Sequence, residues 1–372
     1  MKKLTFILNI IVILILSNAC SKEIEPIIET STPGPIPEYY TAIAAGLSHS
    51  LALGQDGSLW IWGSDGYGQV GNGINIRPPG DPFPLFYTTK PWQLGVGFSD
   101  IAAGSNHSLA INKDGLWAWG DNSYGQLGDG TNGNKYIPVQ VGSGYTKICG
   151  GSYHTLALKP DHTLWIWGIS KLRPELLGTD YIKIDAGHTH SIALKTDGSL
   201  WAFGDNTHGQ LGDGTIENKD SPVFIGSGYT EISAGYEHSL ALKTDGTLWA
   251  WGDNMFGQLG DGTTENKIKP VLIGTGFSAI SAGGSFSLAM KPDGSLWAWG
   301  DNELGQLGDG TYDSQKIPLL VGTGYSVIAT GYSHTLALKT DGTLWVWGSN
   351  DFGPLGIGLV THINLPVQIG GH

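Results

Sequence analysis

Apolar and polar residues follow each other in the same order seven times along this chain. In the clearest copy, short apolar runs are separated by Gly, Asp and Asn, which predicts four short β-strands. These four runs are residues 229–235, 238–242, 248–252 and 270–274. Asp245-Gly246 joins the second run to the third, and Asp-Gly supplies the positive φ angles that a tight hairpin requires. Each copy therefore predicts a small antiparallel unit, and we find no convincing helix.

The copies recur at a nearly constant distance. Three of the six intervals are 48 residues, and the others are 47, 36 and 58. Repetition at this period indicates an array of one supersecondary unit. Four short strands per unit predict an all-β fold, a seven-bladed β-propeller built from seven repeats of about 48 residues. We assign residues 40–372 to this one body, although the length alone would suggest two or three domains.

The first 19 residues have the composition of a secretory signal peptide. Two lysines precede an apolar run that is too short to span a bilayer comfortably, and small residues stand before Cys20. A cysteine in this place resembles the acylation site of bacterial lipoproteins. We therefore predict a signal peptide over 1–19, a lipidated Cys20 with a disordered tether over 20–39, and a location at the outer membrane or cell surface. Ordinary secretion and a retained anchor are the alternatives.

The charge and the cysteines exclude several functions. The formal net charge is −13, and an acidic chain is repelled by nucleic acid and by anionic lipid. We expect no nucleic-acid partner, and membrane contact only through the lipid anchor. Besides Cys20 the chain has Cys149, so no disulfide can form within the mature domain, and we interpret Cys149 as a small buried residue rather than a nucleophile.

A histidine stands three residues after the repeated Gly in six copies, and Phe286 takes its place in the remaining copy. A ring of blades holds equivalent positions too far apart to ligate one metal ion. We therefore predict a structural role, hydrogen bonding to neighbouring backbone. The positions are His49, His107, His154, His190, His238 and His334.

Tryptophan pairs such as Trp249 and Trp251 are spaced by two, which places both rings on one strand face. This predicts packing between blades, with a sugar-stacking platform as the alternative.

A polar loop motif also recurs, with the sequence Gly-Asp-Asn-x-x-Gly-Gln-Leu-Gly-Asp-Gly-Thr. It lacks the spacing of a calcium loop, so we interpret it as a loop whose side chains hydrogen-bond to its own backbone, with calcium binding as the alternative. We predict no catalytic residue, no metal site and no cofactor.

Two recurring motifs together resemble the regulator of chromosome condensation (RCC1) repeat over about residues 40–372. The motifs are Ala-Gly-x-x-His-Ser-Leu-Ala-Leu and Trp-x-Trp-Gly-Asp-Asn-x-x-Gly-Gln-Leu-Gly. The resemblance implies a seven-bladed propeller whose ring is closed by strands from both chain ends in one blade. The Trp-Ala-Trp-Gly-Asp runs are also similar to those of a secreted bacterial propeller that inhibits β-lactamase, which favours a protein target. We do not expect the nucleotide-exchange activity of eukaryotic members, because export would separate the chain from that GTPase.

Two segments depart from the repeat. Copy one has extra residues over 74–94, rich in proline and aromatic residues, and copy three is shortened over 168–178. A stiff aromatic loop binds with little entropy loss, and arginine is enriched at interfaces. The candidate partner-binding residues are Arg77, Phe83, Phe86, Tyr87, Trp92 and Arg173. Local packing of the aromatic residues is the alternative.

These observations favour a monomeric, non-enzymatic, extracytoplasmic binding module that recognises another protein through propeller rim loops. Fold does not specify function, so two other classes stay open. One is a glycan-binding surface lipoprotein. The other is a propeller hydrolase or lyase, which would need a unique cluster of acids or histidines near the central channel.

Overall fold

A computed structural model describes residues 35–73 and 86–370. Their regular structure is entirely β: 28 strands form seven four-stranded antiparallel sheets. None of these residues belongs to a helix of the length and apolarity needed to cross a membrane. The predicted all-β, seven-bladed propeller is confirmed.

Each blade uses four consecutive strands. Blade one contains β1 (Tyr40–Ala45), β2 (His49–Gly54), β3 (Leu59–Ser64) and β4 (Tyr87–Gly95). Blade two contains β5 (Phe98–Ala103), β6 (His107–Asn112), β7 (Gly115–Gly120) and β8 (Lys135–Gly142). Blade three contains β9 (Lys147–Gly150), β10 (His154–Leu158), β11 (Leu164–Gly168) and β12 (Lys171–Gly178). Blade four contains β13 (Tyr181–Ala186), β14 (His190–Lys195), β15 (Ser199–Gly204) and β16 (Lys219–Ser227). Blade five contains β17 (Tyr229–Ala234), β18 (His238–Lys243), β19 (Leu248–Gly252) and β20 (Lys267–Gly274). Blade six contains β21 (Ala279–Ala282), β22 (Phe286–Met290), β23 (Leu296–Gly300) and β24 (Gln315–Gly322). Blade seven contains β25 (Tyr325–Thr330), β26 (His334–Lys339), β27 (Leu344–Gly348) and β28 (Ile363–Gln368).

The antiparallel order sorts the connections onto two faces of the ring. The first strand of each blade lies innermost, and the fourth lies at the outer edge. Connections from the first to the second strand and from the third to the fourth emerge together on one face, which we call the loop face. The Asp-Gly hairpins and the links between blades emerge on the other, which we call the hairpin face.

The core consists of apolar clusters between neighbouring blades. Trp251 of blade five is fully buried among Ile192, Leu200 and Leu211 of blade four. Its partner Trp249 is only half-buried: its Nε1 donates to Thr247 Oγ1 at 2.9 Å, and the Lys243 ammonium lies 4.6 Å from its ring. In blade five the two members of the pair therefore differ, and the second ring is the one that is fully buried between blades; in blades one and two both rings are buried.

The loop of one blade is bonded to the second tryptophan of the next blade. Trp251 Nε1 donates to Gln210 O at 2.8 Å, and a Cβ on Gly212 would lie 2.8 Å from the Trp251 ring. Blade three has lost this loop, and Phe203 stands where blade four would carry the tryptophan. An indole N–H needs an acceptor when buried, so phenylalanine fits the interface from which the acceptor is missing.

We expect Trp251→Phe to lower the free energy of unfolding by about 1–3 kcal/mol, because the indole hydrogen bond and part of the packing are lost. Trp249→Phe, at the half-buried ring, should cost less. Urea denaturation followed by far-ultraviolet circular dichroism measures both. Equal losses would contradict the assignment of the buried ring to the interface.

Ring closure differs from what the resemblance implied. No blade of the described chain combines strands from both ends, since β1–β4 and β25–β28 form separate sheets. Blade one instead docks on blade seven by the contacts used elsewhere in the ring. Tyr40 N donates to Gly342 O at 2.9 Å, and Trp62 Nε1 donates to Pro354 O at 2.7 Å. Closure therefore rests on packing and on backbone and side-chain hydrogen bonds between two complete blades.

Candidate functional site

A central channel opens on the loop face. The ends of the seven inner strands line a cavity of about 320 Å³ there. Sevenfold repetition makes most of its wall uniform, whereas the residue directly after each repeated Gly varies from blade to blade. These residues are Leu47, Ser105, Ser152, His188, Tyr236, Gly284 and Tyr332. Specific recognition must come from such differences between blades.

Five aromatic rings run across the loop face beside the channel mouth, and we call them the aromatic arc. Tyr124 lies 4.6 Å from Tyr153, and Tyr153 lies 5.4 Å from His188, as measured between ring centroids. His188 stacks on Tyr236 at 3.9 Å, and Tyr236 meets Tyr332 edge-on at 5.1 Å. The arc joins blades two, three, four, five and seven into one continuous surface.

A glycine in blade six allows the arc to reach blade seven. A Cβ on Gly284 would lie 2.3 Å from Tyr332 O and 3.0 Å from the Tyr332 ring. Gly284 N also donates to Tyr332 O at 3.0 Å. Because no side chain stands between them, Tyr332 can lie across blade six and contact Tyr236.

The shortened blade three holds the other end of the arc. In its tight turn, Ile169 N donates a hydrogen bond to Tyr153 O and Ser170 N donates one to Tyr124 O, both at 3.0 Å. Both turn residues have positive φ, 50° and 75°, which is uncommon for residues other than Gly. The irregular segment found in the sequence thus contributes to the site through its backbone, which fixes two tyrosines.

An acidic group of three residues lies next to the arc: Asp205, Glu237 and Asp253. Burial raises the pKa of Glu237; His208 opposes the shift, and Asp253 and Asp205 add to it. His208 Nδ1 lies 3.4 Å from Glu237 Oε2. The loop face therefore combines aromatic rings with negative charge.

The arc itself carries no charge at neutral pH. Burial lowers the pKa of His188, although Asp205 opposes that shift, so the imidazole is neutral. Burial raises the pKa of Tyr236, and Tyr332, Tyr153 and Glu237 act in the same direction. Neutral rings stacked on one another present π faces and edges rather than ionic groups.

Below the mouth, one half of the channel wall is polar. Asp185 Oδ2 accepts a hydrogen bond from Ala234 N at 2.8 Å, Ser233 Oγ accepts from Ala282 N at 3.0 Å, and Ser281 Oγ accepts from Thr330 N at 3.1 Å. Each bond links one blade to the next. Cys149 is buried beside this wall, and burial together with the charge of Asp185 raises its thiol pKa, which opposes nucleophilic chemistry.

The six repeated histidines lie outside the channel, in the interfaces between blades. Each is buried, and its Nε2 bonds a side-chain hydroxyl of the next blade, as in His238 with Ser287 at 2.9 Å. The sequence-based expectation of a backbone partner was wrong in this respect, because the neighbouring strand presents Ser or Thr. The other pairs are His49–Ser108, His107–Thr155, His154–Ser191, His190–Ser239 and His334–Ser50.

The hydroxyl fixes which ring nitrogen carries the proton, and burial keeps the imidazole neutral. Ser287 Oγ donates to Gln258 O at 2.7 Å, so its lone pairs accept the proton carried by His238 Nε2. His238 Nδ1 has no hydrogen-bond partner. Protonation would bury a charge and an unpaired donor, and burial lowers the pKa of His238 to about 3.

The repeated Gly-Asp-Asn loop bonds to itself. Asn254 Nδ2 donates to Asp261 Oδ1 at 3.1 Å and to Thr263 O at 3.2 Å, and Leu259 N donates to Asn254 Oδ1 at 3.0 Å. The Asp and Asn side chains are thus engaged in bonds within the loop.

Three of the five candidate residues of the first insertion, Phe86, Tyr87 and Trp92, lie in the described part of the chain. Arg77 and Phe83 lie outside the described residues. Phe86 is half-buried just before β4, and the Tyr87 ring lies 6.3 Å from that of Phe352 in blade seven. The insertion suggested that Trp92 is a loop residue, but Trp92 lies in a strand. It lies in the middle of β4 opposite Ile61, at the position where blades two, four, five and seven place the Val of a Pro-Val pair, so Pro91-Trp92 takes the place of that pair in the fourth strand.

Arg173, the candidate in blade three, is exposed on β12. Its guanidinium lies against Gly130 of blade two, where a Cβ would be 2.4 Å from Nη2. Among the described candidates, Arg173 contacts blade two and Tyr87 contacts blade seven, so these residues do not lie together. The aromatic arc was missed, although three of its five residues, His188, Tyr236 and Tyr332, are among the variable residues that follow the repeated Gly.

Comparison with known proteins agrees with this architecture. The pattern of the RCC1-like domain matches residues 169–371, and RCC1 repeat patterns match residues 56–111 and 113–158. The probable E3 ubiquitin-protein ligase HERC4 of Mus musculus is 36% identical over 97 residues, which are 26% of this chain and 9% of that protein.

Two crystal structures show the same fold. Human WBSCR16 has a TM-score of 0.74 and 22% identity, with 84% of this chain and 93% of that chain covered. Prp20p of Saccharomyces cerevisiae has a TM-score of 0.74 and 20% identity, with 89% and 87% covered. Because the RCC1-like domain pattern matches more than half of the sequence, the chain belongs to the RCC1-like domain family of β-propellers.

Proposed function

We propose that this propeller is a protein-binding module whose loop face is the binding surface and whose aromatic arc is the centre of that surface. The observation that carries the proposal is the arc itself, which departs from the sevenfold repetition and joins five blades. Tyr124 and Tyr332 remain 48% and 43% exposed. Large exposed aromatic rings are the side chains that dominate binding energy at protein interfaces.

The loops that carry the arc are held rigidly, which favours binding. His188 N donates to Tyr236 O at 3.2 Å, and Tyr236 N donates to Gly283 O at 3.0 Å, so consecutive blades are joined at the mouth. A surface that is ordered before binding loses little conformational entropy when the partner arrives.

The relatives support a protein partner in general terms. The structure of Prp20p is described together with its binding to Gsp1p and histones. HERC4 is named a probable ubiquitin-protein ligase, but the matched part is a small share of that protein. We therefore carry over protein binding, and neither the partners nor the activities of these relatives.

We further propose that the module is monomeric and non-enzymatic and acts outside the cytoplasm, anchored through Cys20. The signal-like residues 1–19 support export, and both they and Cys20 lie outside the described residues. The engagement of Asp185 and the six histidines in bonds between blades supports the non-enzymatic proposal, because these groups already have structural partners.

The test is affinity capture with the full chain carrying a C-terminal tag, from envelope and culture-medium extracts. We expect a partner, identified by mass spectrometry and then purified, to bind the wild type at least ten-fold more tightly than Tyr236→Ala/Tyr332→Ala. Tyr39→Ala/Phe224→Ala removes two exposed rings outside the loop face and should bind as the wild type does. Equal binding by all three proteins would contradict a loop-face site.

A folding control and a glycan arm accompany this experiment. Thermal melting of each variant shows whether the fold is retained. If no protein is captured and soluble polysaccharides bind the wild type but not the arc variant, the arc binds glycans and the protein-binding proposal is overturned.

A further inference from the structure

We propose that the channel mouth receives one basic side chain, a lysine or an arginine, from the protein partner. The carboxylate of Asp185 would pair with the charged head of this side chain, while Tyr236 and Tyr332 would flank its stem. The inference rests on the proposed function and names the chemistry of the partner at that site.

The cavity has the size for a single side chain. Its volume of about 320 Å³ is at the lower end of the range for small-ligand sites, roughly 300–1,000 Å³. Ala, Gly, Ile and Ser form most of the wall, and Asp185 is the one carboxylate among the lining residues. His188, Tyr236 and Tyr332 stand at the entrance. A long side chain with its charge at the tip matches this order of aromatic entrance and acidic interior.

The charge of Asp185 is not required by the bond that it makes. Ser233 and Ser281 occupy the equivalent positions in blades five and six, and each accepts the same backbone hydrogen bond from the next blade. A neutral hydroxyl is thus sufficient to link the blades. The carboxylate in blade four is an additional feature that the architecture of the ring does not explain.

Asp185 also retains capacity for another partner. Its Oδ1 accepts from Ala186 N at 2.9 Å and its Oδ2 accepts from Ala234 N at 2.8 Å, and Ser233 contributes a further hydrogen bond. An ionised carboxylate has about four lone-pair positions, so one remains for a donor in the channel. Asp185 is partly exposed there.

The carboxylate lacks a positive partner in the described part of the chain. Burial raises the pKa of Asp185 to about 6, although Ala234 N, Ala186 N and Ser233 favour the ionised form. At neutral pH it is therefore a largely ionised group that no described lysine or arginine neutralises. An entering cation would compensate a half-buried charge that is otherwise unpaired.

The entrance favours a cation as well. Aromatic faces attract ammonium and guanidinium groups, and the neutral His188 does not repel them. Asp205, Glu237 and Asp253 place negative charge beside the entrance, which accelerates encounter with a basic segment.

The probe is a capped peptide Gly-Ser-Lys-Ser-Gly, titrated into the full chain while the backbone amide of Ala234 is followed by NMR. This amide donates to Asp185, so it reports on the carboxylate. The same peptide with Arg should also bind, and the peptide with acetyl-lysine should bind at least ten-fold more weakly because its charge is gone. Absence of saturable shifts up to about 10 mM lysine peptide, or equal binding of the acetylated peptide, would overturn the proposal.

Two variants locate the site. Asp185→Ser should fold, because Ser233 already makes the equivalent link, and should weaken binding of the lysine peptide at least ten-fold. Ser281→Asp adds a second carboxylate to the wall and should tighten binding several-fold, which keeps the test decisive if Asp185→Ser is unstable. Unchanged affinity in a folded Asp185→Ser variant, or in Ser281→Asp, would contradict the assignment of Asp185.

The outcome separates this inference from the proposed function. If the captured partner needs Tyr236 and Tyr332 but binds folded Asp185→Ser as it binds the wild type, the loop face is the binding surface and the basic side chain is disproved. If neither the arc nor Asp185 affects capture, both proposals are overturned.

Discussion

Acidification from pH 7 to pH 5 is expected to unfold this propeller, because six buried histidines must stay neutral in the folded state. Burial lowers the pKa of His49, His107, His190, His238 and His334 to about 3, and that of His154 to about 4. In the unfolded chain each titrates near 6.5. Since the folded pKa is the lower one, the stability is complete above about pH 6.5 and is lost as the pH falls toward 3–4.

Two carboxyl groups oppose this loss. Burial raises the pKa of Asp65 and Asp185 to about 6, so near pH 5 the folded state holds about two protons that the unfolded state lacks. The net uptake on unfolding is then about four protons, and the free energy of unfolding should fall by roughly 5 kcal/mol per pH unit. A domain whose free energy of unfolding is about 5–15 kcal/mol at neutral pH would lose most or all of it within about two pH units.

The measurement is urea unfolding between pH 7 and pH 5 for the wild type and two matched variants. His238→Phe copies the residue that blade six already tolerates and should reduce proton uptake by about one. Phe286→His adds a histidine opposite Thr335 and should increase it by about one. If both variants keep the wild-type slope, the histidines are not the source of the acid sensitivity.

Gly235→Ala is expected to lower the free energy of unfolding by about 3 kcal/mol or more. The new Cβ would lie 2.4 Å from His238 Cε1 and 2.6 Å from Gly283 O. Neither atom can retreat easily. His238 is held by Ser287 at 2.9 Å, and Gly283 O accepts a hydrogen bond from Tyr236 N at 3.0 Å. The repeated Gly is therefore required by the close approach of two blades.

Gly133→Ala is the matched control for this substitution. Gly133 is exposed, has no positive φ, and a Cβ there would meet nothing within 4 Å. Its replacement should be neutral or stabilise by up to about 1 kcal/mol, because it restricts the unfolded chain. Both values come from urea denaturation at pH 7. Similar losses at the two positions would show that the contact between blades is not what requires Gly235.

The repeated features of the fold could be predicted from the sequence because each recurs in at least six of the seven copies. Strand number, hairpin turns and the burial of Trp251 all follow from local periodicity. The exchange of Trp for Phe203 was visible as well, but its reason needs the neighbouring blade, since the missing acceptor belongs to a loop absent from blade three.

The aromatic arc could not be predicted in this way. Tyr153 and Tyr332 are far apart in the sequence, and only the closed ring brings their blades to one mouth. Trp92 illustrates the opposite error. It looked unique because the insertion precedes it, yet its Pro-Trp pair takes the place of the Pro-Val pair inside the fourth strand, and this position in the repeat determines where it lies.

Every blade is one uninterrupted segment of chain, and this has a consequence for the design and ancestry of such rings. The junction between blades seven and one uses the same kinds of bond as the other junctions, so the described ring has no privileged seam. Circular permutants opened at another junction would contain the same seven blades. Gain or loss of one gene segment would likewise add or remove one entire blade, so such propellers can change size in whole units.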